Sequence, residues 1–286
     1  MTKVYETLSN DASKSGGQQR EATASNNTIM NFLWIPDGLQ YPMIYCTPEG
    51  IISISFARNV LVELSVDRNI RILLAGVCAA ASNASGDSST ILHPQARIYQ
   101  DSTKVYATFV GDKQAFIGAQ GVVFCVKNMP NAYLVCNERS SRGTLPYPRS
   151  AVQFPTVPKD GTLALLYSSQ HGVELCKTCC DLASQAKFIR YPETNALTVL
   201  INDVTIVQEA NGELRVTDGP RNLCLCPQKE TVSVQTHYVH IGTQEGGLSF
   251  IKRGVKRVHV SPSGMVVSDG NQTTSVDHAG RIVGSV

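Results

Sequence analysis

The sequence predicts a mainly β protein in which antiparallel sheets pack together and one helix crosses the first of them. Valine, isoleucine and leucine recur in short runs with polar alternation, the two-residue period of a half-buried strand. Turn signals rich in Gly, Asn and Asp punctuate those runs, as in an antiparallel meander. One stretch alone changes to helical spacing. With 286 residues and 42% hydrophobic content the chain can fill two modest domains or one large one.

Composition narrows the function classes. A formal net charge of +2 gives no strong global field, so wholesale wrapping of nucleic acid is not implied. Met1 to Met30 shows no basic segment followed by an apolar one, and no apolar run reaches the ~18 residues of a membrane span. The expectation is a protein neither secreted nor membrane-spanning. The nine cysteines are an odd number. Cys46, Cys125, Cys136, Cys224 and Cys226 sit in apolar runs and read as reduced core residues of a cytosolic or nuclear protein.

Taken in order, residues 1–29 are expected to be a disordered tail, since Asp11 to Thr28 is Ser, Gly, Gln, Asn and Ala without apolar periodicity. A first domain is expected over 30–192. Phe32 to Ile35 opens it ahead of a Pro36-Asp37-Gly38 turn, and strands follow at Met43 to Cys46, Ile51 to Phe56, Val60 to Val66 and Ile70 to Leu74. Ala75 to Ser89 turns small and polar and reads as a loop. Strands resume at Val105 to Val110, Gln114 to Gly118, Val122 to Val126 and Ala132 to Cys136.

Glu138 to Lys159, with Pro146, Pro148, Pro155 and Pro158, reads as a long surface connection. Thr162 to Tyr167 reads as a strand. The helix is expected from Val173 to Phe188, with Leu175, Cys179, Leu182, Ala183 and Ala186 on its apolar side. Tyr191-Pro192-Glu193 then offers a domain boundary. A second domain, 193–286, is a run of hairpins with turns at Asn211-Gly212, Asp218-Gly219, Gly246-Gly247, Ser263-Gly264, Asp269-Gly270 and Ala279-Gly280. Their spacing is too irregular for a propeller.

The run Phe32-Leu33-Trp34, then Leu39 to Cys46, Glu49 to Phe56 and Asn59 to Leu64, resembles the start of a first polo box. Ala210 to Val216 with Arg221-Asn222-Leu223-Cys224-Leu225-Cys226-Pro227 resembles two strands of a second box. The helix with its Cys179-Cys180-Asp181-Leu182-Ala183-Ser184 core is similar to the helix that closes a polo box after its six strands. The resemblance touches about a third of the chain, and is to divergent polo boxes without a kinase, similar to those of kinetoplastid kinetochore proteins. It implies two polo-box-like antiparallel sheets packed together, the first domain with a long insertion and the second degenerate.

The same resemblance implies Trp34 as a partner-binding residue. In the family a His and a Lys of the second box grip phosphate. Pro220, Arg221 and Asn222 stand there in this sequence, leaving Arg221 as the partner-binding cation. A possible basic strip, Lys252, Arg253, Lys256 and Arg257, is suited to a phosphate backbone or an acidic partner, or to shielding an edge strand. Cys176, Cys179 and Cys180, or Cys224 and Cys226 with His237 and His240, raise a zinc reading. It is set aside because these cysteines fall where core cysteines fall.

No phosphate-binding glycine loop, catalytic His-Arg-Asp loop or Asp-Phe-Gly motif occurs, and no serine or cysteine sits in a strand-to-helix elbow. No cofactor and no enzymatic activity are therefore expected. The resemblance implies an interaction and recruitment module of the chromosome segregation machinery, nuclear and at kinetochores. Its partners would be other kinetochore or scaffold proteins, met through a peptide segment, with DNA bound weakly if at all and no membrane. The alternative is an all-β structural subunit of a centriolar, flagellar or capsid assembly, cytoplasmic or centriolar in location. A hydrolase with an unrecognised site is the third reading.

Overall fold

The computed structural model of the chain describes residues 41–126, 129–138, 141–148, 150 and 152–285. Trp34 and the expected tail at 1–29 lie outside the described residues. The first sheet begins with β1 (Met43–Cys46), β2 (Ile51–Phe56), β3 (Val60–Ser65) and β4 (Ile70–Leu74). It continues through β5 (Cys78–Ser82), β6 (Ser88–His93), β7 (Ala96–Asp101) and β8 (Lys104–Phe109). It ends with β9 (Lys113–Ile117), β10 (Val122–Val126), β11 (Asn131–Glu138) and β12 (Ser141–Pro148). Two helices follow, α1 (Gly161–Leu166) and α2 (Cys176–Ser184), the second entered through a 3-10 turn at Val173–Leu175.

The second sheet opens with β13 (Lys187–Tyr191), β14 (Ala196–Ile201), β15 (Val204–Gln208) and β16 (Leu214–Asp218). Next come β17 (Arg221–Cys226), β18 (Thr231–Gln235), β19 (His240–Gln244) and β20 (Leu248–Arg253). The last four are β21 (Lys256–Ser261), β22 (Gly264–Ser268), β23 (Thr273–Asp277) and β24 (Ile282–Ser285). In both twelve-stranded sheets the spatial order is the chain order, so each is one uninterrupted antiparallel meander. The tight reversals that this needs are built from residues tolerant of left-handed backbone. Asn202 and Asp203, with φ of 49° and 62°, join β14 to β15 as a type I′ hairpin turn does.

Alternation then stacks the sheets. Ile52, Ile54 and Phe56 of β2, Val60, Val62 and Leu64 of β3, and Ile70, Ile72 and Leu74 of β4 share one buried cluster. Val199, Ile206, Val216, Leu223 and Val234 of the second sheet belong to the same cluster. Because side chains alternate across a strand, one apolar layer serves both sheets. Polar ties close its margins. Asn202 Nδ2 donates to the Val66 carbonyl at 3.0 Å, and the His93 ring meets the Glu230 carbonyl at 2.8 Å. The mainly β class and the two packed antiparallel sheets match the sequence reading.

The helix α1 lies on the first sheet's far face, whereas α2 packs at the β1 edge against the shared layer, where Cys179 belongs to the buried cluster. Asp160 caps α1, its carboxylate accepting from the Thr162 and Leu163 amides at 2.9 and 3.2 Å. Beneath it, Arg71 is buried: Nε donates to Thr162 Oγ1 at 2.9 Å, and its guanidinium pairs with Glu63 at 2.5 Å and Asp160 at 3.7 Å. Asn69 Nδ2 donates to the Leu165 carbonyl at 2.8 Å. Among the described residues, no helix is long and apolar enough to cross a membrane.

Six expectations change. Ala75 to Ser89 holds β5 and the start of β6 rather than a loop. Its run of small residues, Ala79 to Ala81, lets α1 approach the sheet closely. Glu138 to Lys159 contains β12, whose Pro146 and Pro148 are tolerated because β12 is an edge strand. Thr162 to Tyr167 falls mostly in α1, because the Asp160 cap outweighs the β preference of a short apolar run. The helix expected to reach Phe188 ends at Ser184, since the aromatic and β-branched side chains of Lys187–Tyr191 favour pairing with β14. The boundary expected at 192/193 therefore falls inside the β13–β14 hairpin, and the changeover between sheets occurs before Lys187. Twelve strands, not six, precede the helices.

On α2, Leu182 packs against the core cluster while Lys177 is exposed. Leu182→Asp is expected to lower stability by about 2 kcal/mol through a charge forced against apolar neighbours, and Lys177→Ala by less than about 0.5 kcal/mol. Urea unfolding of the two variants checks this, and equal midpoints would refute the facing.

Candidate functional site

Two packed meanders leave four edge strands, and their chemistry differs. α2 packs beside β1. The Cys179 thiol donates to the Gly50 carbonyl at 3.1 Å, and Cys46 lies against Cys180. Burial, reinforced by that neighbouring thiol, pushes the Cys46 thiol up to about 12. The close approach requires Gly50, at φ 77°, because a Cβ there would lie 2.8 Å from the Gly172 carbonyl oxygen. β12 is blunted by Pro146 and Pro148, which offer no amide donor.

The second sheet has no such protection. All five residues of β13 are exposed, among them Phe188 at 43%, Ile189 at 40% and Tyr191 at 45%. At the opposite edge, β24 exposes Ile282 and Val283. Sequence reasoning missed the first of these edges because Phe188 was absorbed into the helix. The aromatic and β-branched residues Phe188, Ile189 and Tyr191 are the available signal.

Arg221 does not reach the surface. It is 2% exposed, and Nη1 donates to the Arg68 and Asn83 carbonyls at 2.8 Å each, while Nη2 pairs with Asp218. It therefore ties the β16–β17 turn to two turns of the first sheet. Burial lowers its pKa, with the Asp218 carboxylate opposing that shift. A phosphate grip by this side chain is incompatible with its position.

The basic strip divides by strand parity. Arg253 and Lys256 lean toward the first sheet, where Arg253 Nη2 donates to the Ser102 carbonyl at 2.9 Å and Lys256 Nζ to the Ala119 carbonyl at 2.9 Å. Lys252 and Arg257, cross-strand neighbours, take the opposite face. The strip is thus half structural tie and half surface charge. Among the described residues no group of three or more His, Cys, Asp or Glu is arranged to hold a metal ion. Cys224 instead donates to Asn222 Oδ1 at 3.5 Å on its own strand.

A cavity of about 640 Å³ opens at the β6–β7 and β8–β9 turns, lined by residues that include His93, Gln95, Arg97, Asp112 and Lys113. His93 and Lys113 in its wall are committed internally. Lys113 is buried with Nζ 3.4 Å from the Val110 carbonyl, and burial lowers its pKa. The open edge of β13 remains the candidate site.

Residues 42–286 match the family model described as Domain of unknown function (DUF8796). No curated protein matches the chain. Among solved structures, the TCP10 domain of Danio rerio CPAP in complex with a peptide of Danio rerio STIL is 8% identical, with 86% of this chain and 99% of that chain covered and a TM-score of 0.27. A point mutant of the same domain is also 8% identical, covering 85% and 98%, with a TM-score of 0.23. The G-box domain of the microcephaly protein CPAP matches at 8% identity over 86% and 98%, with a TM-score of 0.19.

Arg221→Ala is expected to destabilise the protein by about 3 kcal/mol, because it leaves Asp218 with only the half-exposed Arg68 at 3.4 Å and two carbonyls without donors. Arg221→Met, which keeps the packing volume but not these bonds, should recover less than half of that. Chemical denaturation of the two variants and of Asp218→Asn with Arg221→Met measures it. Wild-type stability in Arg221→Ala would refute the tie.

Proposed function

Given that this chain belongs to the family described as Domain of unknown function (DUF8796), we propose that it is a non-catalytic protein-interaction module that takes up an extended partner segment along the open edge of its second sheet. The observation that carries this reading is β13, an edge strand exposed over its whole length with three large apolar side chains. An added strand satisfies the unpaired backbone groups of such an edge, and pockets for alternate side chains give specificity. Ile189 and Tyr191 lie on one face of the strand and Phe188 and Arg190 on the other, so an incoming segment meets distinct chemistry on its two sides.

Support for the non-catalytic part comes from the histidines. His93 and His171 bond backbone carbonyls, while His240 and His259 flank the ring of Phe250. None of these contacts pairs an imidazole with a nucleophile.

The assembly-subunit reading, centriolar or otherwise structural, is favoured by β24. β13 and β24 stand at opposite ends of one meander and run in opposite directions, eleven reversals apart. A β24 edge laid against the β13 edge of another copy would continue the antiparallel alternation. The kinetochore setting is supported by the polo-box resemblance alone. Imaging of a tagged protein through the cell cycle separates the settings: chromosomal foci argue for the kinetochore, centriolar or cytoplasmic structures for an assembly subunit.

The edge reading has a direct test. Peptides selected from a random library for binding to the full chain are expected to lose affinity by at least about tenfold, 1.4 kcal/mol, in the Ile189→Lys/Tyr191→Lys double variant. Both positions are exposed, so the melting midpoint should barely move. Undiminished binding would sink the proposal. Sedimentation at rising concentration reads the same variant for self-association, whose loss would place the edge between copies.

A further inference from the structure

We propose that the outer face of the second sheet, around His240, Lys252, Arg257 and His259, is a second docking surface, and that its occupant is an acidic, carboxylate-rich segment of a partner protein. Strand register brings these four side chains together. His240 faces Lys252 across β19–β20, Lys252 faces Arg257 across β20–β21, and Arg257 faces Ser268 across β21–β22. A second row, one pleat along, runs Gly242, Phe250, His259 and Val266. The first row alone spans about 10 Å from His240 to Arg257, at ~4.8 Å between strands.

Phe250 organises the cluster. Its ring meets His240 edge-on at 4.8 Å and His259 near-parallel at 6.4 Å, and Lys252 Nζ stands 5.3 Å from its centroid. Gly242 makes room for the ring, since a Cβ there would lie 2.7 Å from Phe250 Cζ. The ring is 5% exposed. What it presents to solvent is therefore the set of cationic and imidazole groups around it, and not an aromatic face for a nucleobase.

Charge complementarity identifies the occupant. The first row continues through Gln235 and Asn222 on one side and Ser268 and Thr273 on the other. The second continues through Ser233, Cys224 and Arg215, and through Val266 and Ser275. Neither row holds a carboxylate across these eight strands, and Lys252 and Arg257 make no ion pair among the described residues. Arg257 Nη1 bonds only backbone carbonyls, those of Gly254 and Lys256. Two standing cations on adjacent strands, flanked by imidazoles that widen the row to ~10 Å, suit successive carboxylates of an extended segment better than one phosphate, and they are too few for a nucleic-acid backbone, which uses some 6–10 contacts.

The surface is also pH-sensitive. Burial and Lys252 hold His240 below its ordinary pKa, and burial, Lys252 and Arg257 do the same for His259. No other charged group of the neighbouring strands faces them. In the free protein the imidazoles are thus kept neutral near neutrality. An acidic ligand offsets the repulsion, raises both pKa values and takes up protons on binding, so affinity rises as pH falls and is lost as pH rises through the bound-state values.

The test uses the full chain and a fluorescein-labelled peptide of alternating Glu and Ser, read by anisotropy at low salt. Binding is expected to be about threefold or more tighter at about pH 6 than at about pH 7.5. Lys252→Gln/Arg257→Gln should weaken it about tenfold, and Ser268→Glu, which adds a carboxylate beside Arg257, should weaken it without removing a cation. His240→Gln/His259→Gln should flatten the pH dependence. Ile189→Lys/Tyr191→Lys should leave this peptide's affinity unchanged, which keeps the result separate from the β13 edge. The proposal is overturned if Lys252→Gln/Arg257→Gln binds like wild type, if the β13 variant abolishes binding, or if a single-stranded oligonucleotide of equal charge binds tighter than the peptide.

Discussion

Burial of alternate side chains between two meanders is the constraint from which the other features follow. A strand of five or six residues sends two or three side chains inward, and an isolated hairpin of that size is marginal in water. Each fully buried Val, Ile or Leu contributes about 1.5–3 kcal/mol when the opposing sheet covers it. Neither sheet therefore keeps its register without the other, since a one-residue slip would move Ile52, Ile54 and Phe56 from the shared layer to the far face. Tight turns such as Asn202-Asp203 set the same register locally, between successive strands.

The same parity decides what each charge does. Four cations within six positions of the β20–β21 hairpin are alike in sequence, yet Arg253 and Lys256 fall on the inward parity at the end of the apolar layer. There they donate to carbonyls of the first sheet's turns. Lys252 and Arg257, one residue away on each strand, fall outward beside the histidines. Arg221 shows the extreme case. Inward parity at a strand start places a guanidinium where only an aspartate and two turn carbonyls can satisfy it.

Much of the fold was legible wherever period two was strong, as in Ile51 to Phe56 or Val60 to Ser65. It failed where another principle competed. Ala79 to Ala81 carries no pattern because a helix, not water, covers that face of β5. The Asp160 cap lies one residue ahead of an apolar run and converts it to a helix. The helix is expected to run on to Phe188 because nothing before Tyr191-Pro192 signals its end, while the β preference of Phe188 and Ile189 ends it at Ser184. The sites were less legible, since they depend on which strands become neighbours. His240 and His259 are nineteen residues apart in sequence and meet only through the ring of Phe250.

A sandwich, unlike a barrel, cannot remove its edges, so the way each is treated carries information. The first sheet spends a helix on β1 and two prolines on β12. The second leaves β13 uncovered with Phe188, Ile189 and Tyr191 in water. Such an edge invites unspecific pairing unless something restrains it, and β13 carries its own restraint in Lys187 and Arg190. Like charges discourage a second copy laid β13 to β13, while a neutral or acidic strand meets no such penalty. The outer face around Lys252 and Arg257 biases in the same direction. Both open surfaces of the second sheet thus disfavour basic partners, and the apolar residues of β13 supply the contact area that charge alone would not.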